Sequence, residues 1–190
     1  GIFVDVKAKN PGNIENATQM SCDVMATNTY YTFRCGGVDL KLVFTAPMFL
    51  DDLNLLSTPI NYISYQVCAN DARKHNVQIY LGTTPELTVI KNTQPTVSTI
   101  QTVKGIDYLK TGSVEQNVLG KSGDLVCIDW GYLLLPNVNG DVTIAKQSII
   151  ENQFIKKGTL VKGTKESFKS NDESDMPVLG YVHNFGLIEC

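Results

Sequence analysis

From Thr29 onward the apolar and polar positions alternate with a period of two, the signature of half-buried strands. Tyr30, Tyr31, Thr32 and Phe33 have strong strand propensity. Gly36-Gly37 makes a tight turn, and Val38, Leu40, Leu42 and Phe44 then alternate with Asp39, Lys41 and Thr45, interrupted on the polar side by Val43. These two runs predict a hairpin. A second hairpin is expected from Ile60 to Ala69 and Val77 to Leu81, joined across Asn70-Asp71 and Ala72 to Lys74. Short strands follow near Leu87 to Ile90, Val97 to Val103 and Ile106 to Lys110, with Lys104-Gly105 between the last two. Leu125 to Leu135 is the longest apolar run, with Val126, Ile128, Trp130, Tyr132 and Leu134 sharing one face. A run apolar on both faces predicts a strand covered on both sides, inside a sandwich or under a partner domain.

Helical signals are few. Asp51-Asp52 give an acidic start to one short turn over Leu53, Leu55 and Leu56. Ala145 to Lys157 reads as a helix with basic residues at its end and Gly158 as its stop. Thr164 to Asp175 is polar and reads as a loop, and Pro177 to Ile188 closes the chain as a strand. Gly1 to Met25 is weakly periodic, with a turn signal at Asn10-Pro-Gly-Asn13, and residues 1–28 are expected to pack as an N-terminal segment on one sandwich domain spanning 29–190. About nine or ten short strands, regular turns, no strand–helix alternation and no internal repeat define an all-β fold, an antiparallel β-sandwich with one or two short helices.

Composition narrows the function. The 190 residues carry a net charge of −3 and a pI near 5.3, without the basic footprint of a nucleic-acid binder. No apolar stretch approaches the roughly 20 residues a membrane-spanning helix needs. The sequence has no initiating Met and no basic-then-apolar leader; Gly1 reads as a processed end and Cys190 as the edge of a fragment. Five cysteines at irregular spacing, none in a Cys-x-x-Cys pair, argue against a zinc knuckle and against a disulfide framework. Cys68 and Cys127, inside strand-like runs, read as small buried hydrophobes. Asn16-Ala-Thr18 fits the glycosylation sequon, but such triplets are common by chance and the match alone carries no weight.

Candidate chemistry is sparse. Lys110-Thr-Gly112 matches one element of serine amidohydrolases, but no Ser-x-x-Lys accompanies it. Gly120-Lys-Ser-Gly-Asp124 lacks the last glycine of a nucleophile elbow and reads as a turn. His75 and His183 each belong to a strand, and no convergent ligand set for a metal can be assembled. No catalytic residue, metal or cofactor is therefore expected. Asp129, an acid within an apolar run, must be paired or face a cleft or a turn. Trp130 reads as packing or interface, with sugar stacking as the rival role. Asp51, Asp52, Ser57, Asp129, Trp130 and Tyr132 are the expected binding or interface residues.

Several blocks resemble the glutaminase A family: Gly37-Val-Asp-Leu-Lys-Leu-Val-Phe-Thr-Ala-Pro47, Asp51-Asp-Leu-Asn-Leu-Leu-Ser-Thr-Pro59, Tyr62-Ile-Ser-Tyr65, His75-Asn-Val-Gln-Ile-Tyr80, Gln116-Asn-Val-Leu-Gly120 and Asp129-Trp-Gly-Tyr-Leu133. The resemblance runs from about Thr27 to the end of the chain. It implies an N-terminal, supersandwich-like β-domain followed by a helical toroid that carries hydrolysis of glutamine to glutamate and ammonia. It also implies that this sandwich is non-catalytic, that its partner is the C-terminal helical domain of the same protein, and that the whole is secreted or periplasmic. The chain departs from the family at Ser57-Thr58-Pro59, where Ser-Arg-Pro is commoner. A similar sandwich-plus-helical-barrel plan in glycoside hydrolases implies the alternative of a carbohydrate- or ligand-binding module.

Overall fold

A computed structural model describes residues 14–124, 127–162, 168–170 and 177–190. The chain forms two compact units, residues 1–77 with 185–190, and residues 78–184. The turn expected at Asn10 to Asn13 lies outside the described residues, as does the loop expected at 164–175 apart from three residues of strand.

Unit 1 is built on an antiparallel four-stranded sheet in the order β1-β2-β3-β4, from β1 (Thr18–Val24), β2 (Asn28–Cys35), β3 (Val38–Thr45) and β4 (Tyr62–Ala69). β1 falls in the weakly periodic N-terminal stretch. All seven of its residues are exposed, so no alternation of apolar and polar positions marks it in the sequence. The β2–β3 hairpin forms as expected, with Gly36 at φ +59° in the left-handed region. At Gly37 an added Cβ would fall 2.5 Å from the His75 ring, so a side chain there would have to displace the imidazole. Arg34 closes the hairpin with a bidentate pair to Asp39, at 2.9 and 3.1 Å. On one sheet face Phe33, Val38, Leu40 and Ala69 are buried, while Phe44 and Ile63 farther along the same face are exposed. Between β3 and β4 a short helix, α1 (Leu53–Ser57), starts where the paired acids place it, with Asp52 as its cap.

The expected second hairpin does not form. β4 pairs with β3, whereas the next strand, β5 (His75–Thr83), pairs with β11 (Pro177–Ile188). The turn material at 70–74 is spent on a change of sheet: the Asn70 N–H donates to Gly37 O and its side chain reaches Asp39. Cys68 is also not a free buried thiol. It forms a disulfide with Cys190, their Cα atoms 5.6 Å apart, a pairing across 122 residues that spacing alone does not signal.

In unit 2, β6 (Thr96–Val103), β7 (Ile106–Ser113), β8 (Leu133–Pro136) and β10 (Phe168–Ser170) form an antiparallel sheet in the order β10-β6-β7-β8. It packs against a second sheet, β5-β11-β9, in which β9 is Asp141–Lys146. Leu109, Ile144 and Leu179, one from each of β7, β9 and β11, form the buried centre between the sheets, joined by Ile100, Leu135 and Val142. This is an all-β antiparallel sandwich. A helix, α2 (Gln147–Lys157), covers the other face of β5-β11-β9; its Ile150 is fully buried beside Gly180, and Phe154 packs on Tyr80 at 5.3 Å. α2 ends on Gly158 in the left-handed conformation, as its sequence indicates.

Two further expectations are corrected. Leu87 to Ile90 is not a strand: Pro85–Thr88 forms a 3-10 turn, with Pro85 at its start presetting φ. Among its described residues the long apolar run supplies only β8, at its end. Residues 127–132 are irregular, broken by Gly131 at φ +90°. Cys127 is exposed rather than a buried strand residue.

Candidate functional site

The six expected interface residues fall into two groups, one in each unit. In unit 1, Asp51, Asp52 and Ser57 gather at α1. Asp52 Oδ1 accepts from the Leu55 N–H at 3.0 Å, satisfying one of the unpaired donors of the first turn. Ser57 Oγ donates back to Asn54 O at 3.1 Å. Both polar groups are consumed in shaping the turn, and Asp51 is exposed. The turn holds an apolar surface outward: Met48, Phe49, Leu50 and Leu53 are between 53% and 79% exposed. Beside them a shallow recess of about 390 Å³ is lined by Pro47, Met48, Phe49, Leu55 and Tyr62 with three polar neighbours.

In unit 2, the structure brings Asp129, Trp130 and Tyr132 together on the irregular segment before β8. Side chains replace the missing sheet ladder there. Gln116 Oε1 accepts from the Gly131 N–H at 2.6 Å, and its Nε2 donates to Ser113 O at 2.8 Å. Ser113 Oγ donates to Asp129 O, also at 2.6 Å. The Asp129 carboxylate is paired with Lys121 and accepts from Gln94 Nε2 at 3.1 Å; the Lys121 contact, then Gln94, holds its pKa below the usual carboxylate range. Asp129 thus fixes a loop. Gln94, Ser113, Gln116 and Lys121 do this work and were not singled out from the sequence; polar residues in turn-rich stretches carry no periodic signal.

The fixed segment turns apolar groups to solvent. Ile128 is 68% exposed, Leu134 54% and Tyr132 48%, while Trp130 is half-buried. The Lys110 ammonium sits 3.6 Å from the Tyr132 ring centroid and covers one of its faces. Gly112 permits this approach, since a Cβ there would lie 2.6 Å from the Tyr132 ring. The adjoining recess, about 260 Å³ between Leu87, Thr88, Ile128 and Trp130, is smaller than the few hundred Å³ or more of small-molecule pockets.

One titratable pair was not legible. His75 Nε2 lies 2.8 Å from Asp71 Oδ1, and the imidazole, followed by the Arg73 N–H, lowers the Asp71 pKa. The signal was an Asp and a His four apart across a turn. The Arg73 N–H donates to the same Asp71 Oδ1, at 2.9 Å. His183 Nδ1 lies 2.9 Å from Asn139 O. Among the described residues, no three His, Cys, Asp or Glu side chains stand close enough together to hold a metal ion.

Comparison with known proteins gives the chain a relative and a family. The chain is 29% identical over 75 residues to Glutaminase A of Aspergillus oryzae (strain ATCC 42149 / RIB 40). That stretch is 39% of this chain and 11% of the relative, so the match spans about a tenth of the relative's length and indicates a glutaminase-like relationship at a coarse level. A family model described as Domain of unknown function (DUF5127) matches residues 27–189, most of the chain, and the chain belongs to that family.

Proposed function

We propose that this chain is the non-catalytic, N-terminal β-sandwich module of a glutaminase-related protein. Its work is to seat a helical catalytic domain of the same protein, which hydrolyses glutamine to glutamate and ammonia. One observation carries the reading: the apolar run that ought to be covered on both sides leaves Ile128, Tyr132 and Leu134 in solvent. Side-chain hydrogen bonds hold that segment rigid, so nothing inside the module collapses to cover it. A preorganised surface rich in aromatic and aliphatic residues is what a permanent interface requires. Met48, Phe49 and Leu53 on unit 1 are a second such surface.

The site chemistry agrees. Asp129, Asp52, Ser57 and Ser113 spend polar atoms on the backbone or on an ion pair, and the His75 imidazole is paired with Asp71. The Cys68–Cys190 disulfide supports a location outside the reducing cytosol, secreted or periplasmic.

The test has two arms. The purified chain is expected to release no ammonia from glutamine, and release at a measurable turnover would reject the reading. In the parent protein, Ile128→Ser with Leu53→Ser is expected to uncouple the module from the helical domain and lower activity while the module stays folded by circular dichroism. Unchanged activity and unchanged thermal unfolding of the parent would count equally against it.

A further inference from the structure

We infer that Asn16 is an N-glycan acceptor and that its sugar stands guard over the open edge of the first sheet. Asn16-Ala-Thr18 is the one Asn-x-Ser/Thr triplet with a non-proline middle residue in the sequence. The triplet alone is weak, and the structure adds three observations. Asn16 and Thr18, the two residues a transferase must reach, are both exposed. The acceptor precedes β1 in a stretch of no regular structure, where the chain can adopt the conformation a transferase binds. The Cys68–Cys190 disulfide fits a chain that matures in an oxidising compartment, where N-glycosylation of eukaryotic proteins also takes place.

The reaction balances without an oxidant or reductant. The Asn16 carboxamide nitrogen attacks the anomeric carbon of a lipid-linked oligosaccharide diphosphate. A C–N bond forms as the C–O bond to the diphosphate breaks. The lipid diphosphate leaves with the bonding electrons, and the nitrogen gives up one proton. Thr18 contributes the hydroxyl read two positions on.

The location gives the sugar a use. β1 ends the order β1-β2-β3-β4, all of its residues are exposed, and no described strand pairs with its outer edge. Such an edge is a template for pairing with a second chain unless something bulky or charged stands before it. A branched, hydrated sugar two residues ahead of Thr18 obstructs that approach without touching the core.

The inference rests on the secretory location proposed above, so the test reads the two separately. The whole chain is passed through a yeast secretory pathway behind a cleavable leader. The medium is expected to contain one glycoform, collapsed by peptide-N-glycosidase F, with the modification on tryptic peptide 10–34. Asn16→Gln and Thr18→Ala abolish it and Thr18→Ser retains it, all three secreted and folded by circular dichroism. Folded, secreted protein with the Cys68–Cys190 bridge and an unmodified peptide 10–34 would overturn the assignment and leave the location standing. Secreted protein with all five thiols alkylatable would remove the support for the location, while the same peptide still decides the site. Enzymatic deglycosylation of the native protein is expected to raise its self-association in sedimentation; no change there would overturn the guarding role.

Discussion

Reduction of Cys68–Cys190 is the perturbation whose size can be worked out in advance. The bridge closes 122 residues of chain. If the whole chain unfolds together, that closure removes about 5 kcal/mol of unfolded-state entropy at 25 °C. If unit 2 stays folded while unit 1 melts, residues 78–184 act as a rigid spacer. The flexible loop then shrinks to about 15 residues and the expected effect falls to about 3 kcal/mol. The assay is guanidinium unfolding of oxidised and reduced protein. Fluorescence of Trp130, the one tryptophan, reports unit 2, and hydrogen exchange at β2 and β3 amides reports unit 1. A loss near 5 kcal/mol with coincident transitions indicates a single cooperative block; a loss near 3 kcal/mol with Trp130 melting later indicates two. The denaturant midpoint for unit 1 is expected to fall by about 1 M. Oxidised and reduced protein unfolding within about 0.5 kcal/mol of each other would refute the reasoning.

Three further outcomes are expected. Gln116→Ala strands the Gly131 N–H and should cost about 2–3 kcal/mol, with a red shift of Trp130 emission as the 127–132 segment loosens; an unchanged spectrum would show that the segment is held otherwise. Ile150→Ala removes a fully buried side chain between α2 and Gly180 and should cost about 2–5 kcal/mol in denaturant unfolding, whereas a loss under about 1 kcal/mol would mean the helix is not docked there. Hydrogen bonds from Arg34, then from Asn70, hold the Asp39 carboxyl at about 2, below its ordinary 3.8. Because the folded value is the lower one, its stabilisation is complete above pH 4 and fades as pH drops from 4 toward 2. Asp39→Asn should flatten that part of the acid-unfolding curve, and an unaltered slope would remove Asp39 from the account.

How legible these features were depends on where their signals lie. Strands with one wet face, such as Val38 to Phe44 and Ile106 to Lys110, announce themselves because alternation and glycine turns coincide. The end of α2 was readable because Gly158 and the basic last turn agree. β1 was not, since a strand exposed on both faces has no apolar period to display. The Leu125 to Leu135 run misled because hydrophobicity reports a need for cover, and the cover proposed here lies outside the module. For the six residues expected at an interface, the sequence does not indicate what holds their segments: Gln116 and Ser113 act through hydrogen bonds that only three-dimensional proximity creates.

The inner face of β6 and β7 carries hydroxyls among its aliphatic residues. Ser98 and Thr111 are fully buried and bonded to each other at 2.8 Å, directly opposite in the ladder. Sliding the hairpin by two residues, the shift that keeps both side chains facing inward, would set Ser98 against Leu109 or Thr111 against Ile100 and strand a hydroxyl in a dry interior, at a penalty of about 1–3 kcal/mol. A purely aliphatic face would tolerate that slip far better. The pair therefore acts as a zip-fastener stop, rejecting misaligned hairpins while the sandwich is still assembling.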